Sequence, residues 1–149
     1  MRLYALHRFY FYKMMKKVQV IGLPCSGKTT AITSYISRIG GIQHLDIRSF
    51  NGPNRFYRYR KAVLKSRVNL IAESASGIVI PNTYVIRLDI DKPLLYKRTL
   101  EREGKLDEFY LSLIEEQMIK PQYTARSVKA LHAIFDVLFL GVQTHGNAL

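Results

Sequence analysis

The chain has 149 residues, a length that suits one domain with a buried core. Hydrophobic residues make up 48% and charged residues 23%, which excludes a disordered or collagen-like chain. The net charge of +12 favours anionic partners such as nucleotides, nucleic acid or an anionic membrane surface, but no apolar run is long enough to cross a bilayer. A single cysteine excludes an internal disulfide and fits a reducing, cytoplasmic compartment.

The first 14 residues differ in composition from the rest of the chain, because they are basic and aromatic and contain no acid. They lack the continuous apolar segment of a signal peptide and are poor in serine, so we interpret them as an N-terminal extension rather than a targeting peptide. Residues 15–143 are then expected to form the domain, and residues 144–149 a C-terminal tail.

The predicted elements alternate between strand and helix. Lys17–Ile21 is a short apolar run, and Lys28–Ile39 has apolar residues at helical spacing before a glycine pair, so we predict a buried strand and an amphipathic helix. Ile42–Asp46 and Val68–Glu73 are predicted strands that each end in a carboxylate. Between them, Asn54–Ser66 is basic and aromatic and is predicted to be helical.

The second half of the chain continues this alternation. Thr83–Ile90 is a predicted strand rich in β-formers, and Asp91 is placed to cap a helix that ends at Gly104. A second helix is predicted from apolar residues expected on one face: Leu106, Phe109, Tyr110, Leu113, Ile114 and Met118. Ala133–Leu140 is predicted as the last strand. The sequence thus predicts a doubly wound α/β domain with a five-stranded, mainly parallel sheet.

The residues after the first predicted strand match the phosphate-loop pattern G-x-x-x-x-G-K-[ST]. They are Gly22, Leu23, Pro24, Cys25, Ser26, Gly27, Lys28 and Thr29, with Thr30 next. The glycines let the backbone point its N–H groups at phosphate oxygens, and the helix that follows presents its positive end to the same anion. Lys28 can bridge the outer phosphates and the Thr29 hydroxyl can ligate Mg²⁺, so we predict a site for ATP and magnesium. Cys25 is interpreted as a small spacer, with a helix-stabilised thiolate as the alternative.

Three carboxylates are predicted near strand ends, where ligands bind in open α/β sheets. Asp46 and Glu73 form the preferred pair, because neither is followed by an obvious cap or turn. Asp46 could orient the acceptor, and Glu73 could take the metal-side role. The alternative is that one of them only pairs with an arginine. Asp89 is interpreted as part of a strand exit and helix cap.

Two groups of basic residues suggest further binding functions. Arg98 and Arg102 share a helix face and could cover a triphosphate as lid residues, or they could be a solvated face paired with nearby glutamates. A second group mixes arginine, lysine and aromatic side chains: Arg48, Phe50, Arg55, Phe56, Tyr57, Arg58, Tyr59, Arg60 and Lys61. This group suits a nucleotide acceptor, and equally a single-stranded nucleic acid. The histidines show no metal-ligand spacing and are assigned no role.

These features resemble the nucleoside and nucleotide kinase group of P-loop enzymes. The motif GLPCSGKTT carries the resemblance, and VIRLDIDKPLLYKRTLERE is similar to the strand and lid helix of thymidylate kinase-like enzymes. The segment KPQYTARSVKALHAIFDVLF is similar to a late segment in which a tyrosine-containing turn precedes a strand. The resemblance implies that Arg98 and Arg102 are lid arginines, that Asp46 and Arg48 bind the acceptor, and that Glu73 is the acid of the third strand.

The sequence also departs from that group. Glu73 is followed by Ser-Ala-Ser rather than Arg-Ser, and Asp46-Ile47-Arg48 is not the tight Asp-Arg pair of thymidylate kinases. The first functional prediction is therefore an ATP-dependent kinase acting on a nucleoside or nucleoside monophosphate, with no membrane contact and with homodimerisation left open. The alternatives are a kinase of another small alcohol, such as a sugar acid or shikimate-like compound, and a nucleic-acid-associated nucleotide-binding module.

Overall fold

The computed structural model describes residues 15–142. The elements in chain order are β1 (Lys17–Ile21), α1 (Lys28–Ile39), β2 (Ile42–Asp46), a short 3-10 helix (Ile47–Ser49), α2 (Arg55–Lys65), β3 (Asn69–Glu73), β4 (Tyr84–Leu88), α3 (Lys92–Glu103), α4 (Glu108–Gln117), β5 (Tyr123–Ala125) and α5 (Val128–Leu140). The predicted extension 1–14 and tail 144–149 lie outside the described residues, so this division of the chain stays a prediction.

The strands form one five-stranded sheet in the order β2-β3-β1-β4-β5, and every neighbouring pair is parallel. The predicted doubly wound α/β fold is confirmed. In the register of β2 with β3, Asp46 lies opposite Glu73. Because parallel strands end at the same edge of a sheet, both carboxylates reach the edge at which the phosphate loop leaves β1.

Helices cover both faces of the sheet. Successive strand residues point to opposite faces, so one strand can contribute to the buried clusters on both sides. The larger buried cluster joins Val20, Ile71 and Ile86 to residues of α1, α3, α4 and α5. A smaller cluster places Leu70 and Ala72 of β3 against α2. Both faces of the sheet are therefore apolar and buried. This packing holds in place the strand ends, which carry the polar side chains.

Helices α1 and α5 pack against each other through Tyr35, which is fully buried. The ring centroids of Tyr35 and Phe135 lie 4.9 Å apart, and the Tyr35 hydroxyl donates a hydrogen bond of 2.8 Å to Oδ1 of Asp136. This contact anchors the helix that begins in the phosphate loop to the last helix of the described chain.

The prediction of a strand at Ala133–Leu140 is wrong, because these residues belong to α5. Leu131, Ile134, Phe135 and Leu138 are buried at helical spacing, and the Ser127 side chain accepts a capping hydrogen bond from the Ala130 N–H. An apolar run interrupted only by Asp136 fits strand and helix periodicity equally well. The fifth strand is instead the three-residue β5 beside β4, and it contains Tyr123 of the segment predicted as a turn.

Two details of the helices α3 and α4 also differ from prediction. Asp91 lies at the N-cap position of α3, but its side chain makes no capping hydrogen bond. In α4 the buried residues are Leu111 and Ile114, whereas Phe109 and Tyr110 are 73% and 55% exposed. The apolar residues therefore spread around α4 instead of forming one buried face, which leaves aromatic rings at the surface. No helix among residues 15–142 is long and apolar enough to cross a membrane.

Candidate active site

The phosphate loop connects β1 to α1 and depends on two of its glycines. A Cβ atom at Gly22 would lie 2.7 Å from the carbonyl oxygen of Leu88, so β4 passes too close for any larger residue. Gly27 has φ +96°, a left-handed conformation that favours glycine, and its carbonyl accepts the first backbone hydrogen bond of α1 from Ala31. The loop therefore has the curled backbone that its sequence predicts.

Lys28 lies at the start of α1 with its ammonium against the loop. Its Nζ donates hydrogen bonds to the carbonyl oxygens of Gly22 at 2.6 Å and Leu23 at 3.0 Å. Burial lowers the pKa of Lys28 to about 8, and the carboxylate of Glu73 partly opposes this shift. The ammonium is thus a buried cation whose present partners are neutral, which leaves it able to bind a phosphate oxygen.

Glu73, at the end of β3, contacts residues of both α1 and β2. Its Oε2 accepts a hydrogen bond of 2.5 Å from the Thr29 hydroxyl, and its Oε1 lies 2.9 Å from Nε2 of His44. The side chain is only 4% exposed. Both carboxylate oxygens are therefore fixed, one toward the phosphate loop and the other toward β2.

Asp46 and Arg48 form an ion pair beside this network. Nη2 of Arg48 lies 2.6 Å from Oδ2 of Asp46 and donates a hydrogen bond of 2.8 Å to the Thr29 hydroxyl. Asp46 also caps the 3-10 helix by accepting from the Arg48 N–H, so the expectation that Asp46 has no cap role is wrong. Burial tends to raise the pKa of Asp46, but the hydrogen bonds and charge of Arg48 outweigh it and lower that pKa.

His44 is a member of the site that sequence reasoning missed. Single atoms from His44, Asp46 and Glu73 lie within 4.8 Å of one another, as in groups that can hold a metal ion. His44 and Asp46 are two residues apart on β2 and share one side of the strand. The two-residue spacing of His44 and Asp46 is the signal in the sequence. It indicates a site shared with Glu73 only once β2 is known to lie beside β3.

The oxygen atoms of Thr29, Asp46 and Glu73 fit a magnesium ion. Mg²⁺ prefers carboxylate and hydroxyl oxygens over nitrogen or sulfur, and it is often held by one or two carboxylates together with substrate phosphates. Thr29 and Glu73 are already 2.5 Å apart at the start of α1, where the phosphate loop ends. The predicted metal pair therefore has both a suitable donor type and a suitable place.

A cavity of about 520 Å³ opens in front of these residues. Its walls include Lys28, Thr29, Asp46, Arg48 and Glu73, and also residues from α2, α4 and the loop after β3. The structure thus brings together most of the predicted catalytic and acceptor-binding side chains in one space. A volume of this order is typical of a small-molecule site.

A second cavity of about 450 Å³ lies on another side of the phosphate loop and is lined by Cys25, Gly27, Thr30, Arg98, Glu101, Arg102 and Val128. Arg98 donates a hydrogen bond of 3.3 Å from Nη1 to the carbonyl oxygen of Ser26. Arg102 lines both cavities, and its Nε lies 3.7 Å from a carboxylate oxygen of Glu103. The two predicted lid arginines therefore lie beside the loop on α3.

The second basic and aromatic group separates in the structure. Tyr59 is buried in the smaller core, and Arg58 donates to the backbone carbonyl oxygens of Asn51 and Pro53, which precede α2. Tyr57 is 64% exposed and lies outside both cavities, whereas Arg55 and Phe56 line the larger one. Only part of this group is thus placed to meet a ligand.

Comparison with solved structures finds proteins that share the fold of this chain but have low sequence identity to it. A gluconokinase from Sinorhizobium meliloti has a TM-score of 0.58 and 14% identity, covering 86% of this chain and 91% of its own. A sugar kinase from Janibacter sp. has a TM-score of 0.61 and 16% identity, covering 86% and 95%. A shikimate kinase from Acinetobacter baumannii in complex with shikimate has a TM-score of 0.55 and 17% identity, covering 90% and 97%.

The chain has the fold of P-loop kinases. No protein-family model matches the sequence, and no curated protein matches it. The three neighbours compared above are described as a gluconokinase, a sugar kinase and a shikimate kinase, and none of the three is described as a member of the thymidylate or deoxynucleoside kinase subgroup suggested by the sequence.

Proposed function

We propose that this protein is a kinase that transfers the γ-phosphoryl group of ATP to an oxygen atom of a small acceptor, either a hydroxyl oxygen or the phosphate oxygen of a nucleoside monophosphate. The observation that carries this proposal is the convergence of Lys28, Thr29, Asp46 and Glu73 on one cavity next to the phosphate loop. The loop offers backbone N–H groups, a buried cation and a helix N-terminus to the same anion, as phosphoryl transfer requires.

The nucleotide binds with its phosphates in the loop and its nucleoside part toward the second cavity. Lys28 exchanges its loop carbonyl partners for phosphate oxygens, and Arg98 and Arg102 approach the phosphates from α3. Thr29 and Glu73 would hold Mg²⁺, which would neutralise charge on the phosphate oxygens.

The acceptor occupies the larger cavity with its reacting oxygen, in a hydroxyl or a phosphate group, beside Asp46 and Arg48. The lowered pKa of Asp46 keeps this carboxylate ionised at neutral pH, so it can accept a hydrogen bond from the hydroxyl of an alcohol acceptor and orient its oxygen. The acceptor oxygen bonds to the γ-phosphorus as the bond to the bridging oxygen of ADP breaks. With an alcohol acceptor the hydroxyl proton passes to Asp46 and then to solvent, whereas a monophosphate reacts through an ionised phosphate oxygen and has no proton to transfer.

The acceptor is either a nucleoside or its monophosphate, as the sequence predicts, or a hydroxy acid such as a sugar acid. The second class is supported by the names of the structural neighbours, which include a gluconokinase and a shikimate kinase. The monophosphate and the hydroxy acid share an anionic group, which suits a cavity that contains several arginines.

The test is an ATP-consumption screen across nucleosides, nucleoside monophosphates, gluconate and shikimate. We expect one acceptor class to stimulate ATP consumption, and Lys28→Ala to remove most of that rate. Lys65→Ala, at an exposed lysine in the last turn of α2, is the matched control and should retain it. Turnover that survives Lys28→Ala would contradict the mechanism. Absence of any acceptor, together with salt-sensitive RNA or DNA binding, would instead support the nucleic-acid-associated module.

A further inference from the structure

Two exposed aromatic side chains line the cavity assigned to the acceptor. Phe56 comes from α2 and is 62% exposed, and Tyr110 comes from α4 and is 55% exposed. Neither ring belongs to the buried clusters of the domain. Their apolar faces are thus available to a ligand in the space that also contains Asp46.

Arg55 lies directly beside Phe56 and lines the same cavity. Its guanidinium carbon is 5.8 Å from the centre of the Phe56 ring, and its Nε is buried without a hydrogen-bond partner among the described residues. A buried donor without a partner is unfavourable unless something else accepts its hydrogen bond. Arg55 is thus placed to gain from binding an anion.

The other cations of this cavity already have partners. Lys28 donates to loop carbonyls, Arg48 pairs with Asp46, and Arg102 lies near Glu103. Within residues 15–142, Arg55 is the cation lining this cavity that has neither a carboxylate nor a carbonyl partner. An incoming anion therefore binds Arg55 without breaking an existing ion pair.

We propose that Phe56, Tyr110 and Arg55 form the acceptor subsite and select a planar ring that carries an anionic group, the chemistry of a nucleoside monophosphate. This inference rests on the proposed kinase function and names its acceptor class. The rings contact the flat faces of the base, and Arg55 binds the monophosphate. A sugar acid has the anion but no aromatic face, so it uses only part of this subsite.

The chain contains no tryptophan, which allows a direct binding test. Phe56→Trp keeps an aromatic face in the cavity and introduces a single indole fluorophore. Tyr57→Trp is the matched control, because Tyr57 is the next residue, is 64% exposed, and lines neither cavity. Both variants are first saturated with Mg²⁺ and a non-hydrolysable ATP analogue, so that an added monophosphate cannot enter the donor site.

CMP, UMP, dTMP, gluconate and shikimate are then titrated separately. We expect at least one of the three monophosphates to quench the indole of Phe56→Trp in a saturable way and to leave Tyr57→Trp unchanged. We also expect Phe56→Ala and Tyr110→Ala each to raise the KM of that monophosphate about tenfold without changing the KM of ATP. Arg55→Gln should raise the same KM, and Arg55→Lys should raise it less than Arg55→Gln does.

Phosphorylation of gluconate or shikimate that is unaffected by Phe56→Ala and Tyr110→Ala, without quenching by any monophosphate, would overturn the subsite and leave the kinase function standing. Failure of the protein to bind the ATP analogue would overturn both. Binding of the ATP analogue therefore distinguishes failure of the acceptor subsite from failure of the kinase function.

Discussion

Thr29 Oγ1 lies 2.5 Å from Glu73 Oε2, and this hydrogen bond joins the first turn of α1 to the end of β3. The phosphate loop and the third strand therefore meet through one hydroxyl and one carboxylate. In the proposed function these two groups hold the metal that accompanies the nucleotide.

Glu73→Gln should reduce the effect of Mg²⁺ on ADP affinity by about tenfold or more, because an amide has the shape but not the charge of the carboxylate. Isothermal titration of ADP with and without Mg²⁺ measures this difference. Glu116→Gln, at an exposed position on α4, is the control and should leave it unchanged. An equal magnesium effect in Glu73→Gln and the unaltered protein would remove Glu73 from the metal site.

The affinity for ADP should fall as pH rises through the pKa of Lys28, which burial lowers to about 8. Below this pH the folded protein keeps the ammonium protonated, and between about pH 7 and pH 9 its protonated fraction falls roughly tenfold. Binding titrations across this range measure the effect, and Lys28→Met should abolish it. An identical pH dependence in Lys28→Met would assign the effect to another group.

The same pKa shift has the opposite sign for stability. Because the unfolded lysine keeps its proton up to its ordinary pKa of 10.5, the unfolded state binds more protons than the folded state between about pH 8 and that value. The contribution of Lys28 to the free energy of unfolding thus increases with pH in this window. Weaker ADP binding above pH 8 would therefore not reflect a loss of folding through Lys28, and thermal melts at each pH check this.

Gly22→Ala should weaken ADP binding and lower the free energy of unfolding by about 1–3 kcal/mol, since the added methyl group would meet the Leu88 carbonyl. Gly41→Ala is the control, because Gly41 has φ +71° and open space around it. Its substitution strains the backbone but lies away from the loop. We expect it to lower stability in denaturant titrations without changing ADP affinity; a similar loss of affinity in both variants would contradict the steric argument.

Tyr35→Phe should lower the free energy of unfolding by about 1 kcal/mol, because it removes the hydrogen bond from the Tyr35 hydroxyl to Asp136 while keeping the buried ring. Urea denaturation measures the change. Tyr57→Phe, at a largely exposed ring, should alter stability by less than about 0.5 kcal/mol. An unchanged midpoint for Tyr35→Phe would show that the contact between α1 and α5 depends on ring packing alone.

The first half of the fold could be predicted closely from the sequence. Lys17–Ile21 and Lys28–Ile39 have the predicted bounds, because a short apolar run, a glycine-rich loop and a 3.6-residue period each have one physical interpretation. Ala133–Leu140 does not have a single interpretation, since its nearly continuous apolar residues suit a buried strand or a buried helix. The Ser127 cap and the burial of Leu131, Ile134, Phe135 and Leu138 at helical spacing decide for the helix.

The candidate site was predictable only where local sequence determines position. The phosphate loop was predicted from its motif, and Asp46 and Glu73 from the predicted ends of their strands. The contact of His44 with Glu73 depends on β2 lying beside β3, a pairing that neither strand encodes alone. Phe56 and Tyr110 share a cavity through the packing of α2 and α4, which no short sequence pattern specifies.

The two cavities share Cys25, Gly27, Thr30 and Arg102 as common walls, so they meet at the phosphate loop. In the proposed reaction both substrates are bound at the same time. The phosphoryl group passes directly from the bridging oxygen of ADP to the acceptor oxygen, without a covalent intermediate on the protein. A single displacement of this kind inverts the stereochemistry at phosphorus. A chiral thiophosphate donor would therefore give a product of opposite handedness, and steady-state rates would fit a ternary-complex scheme.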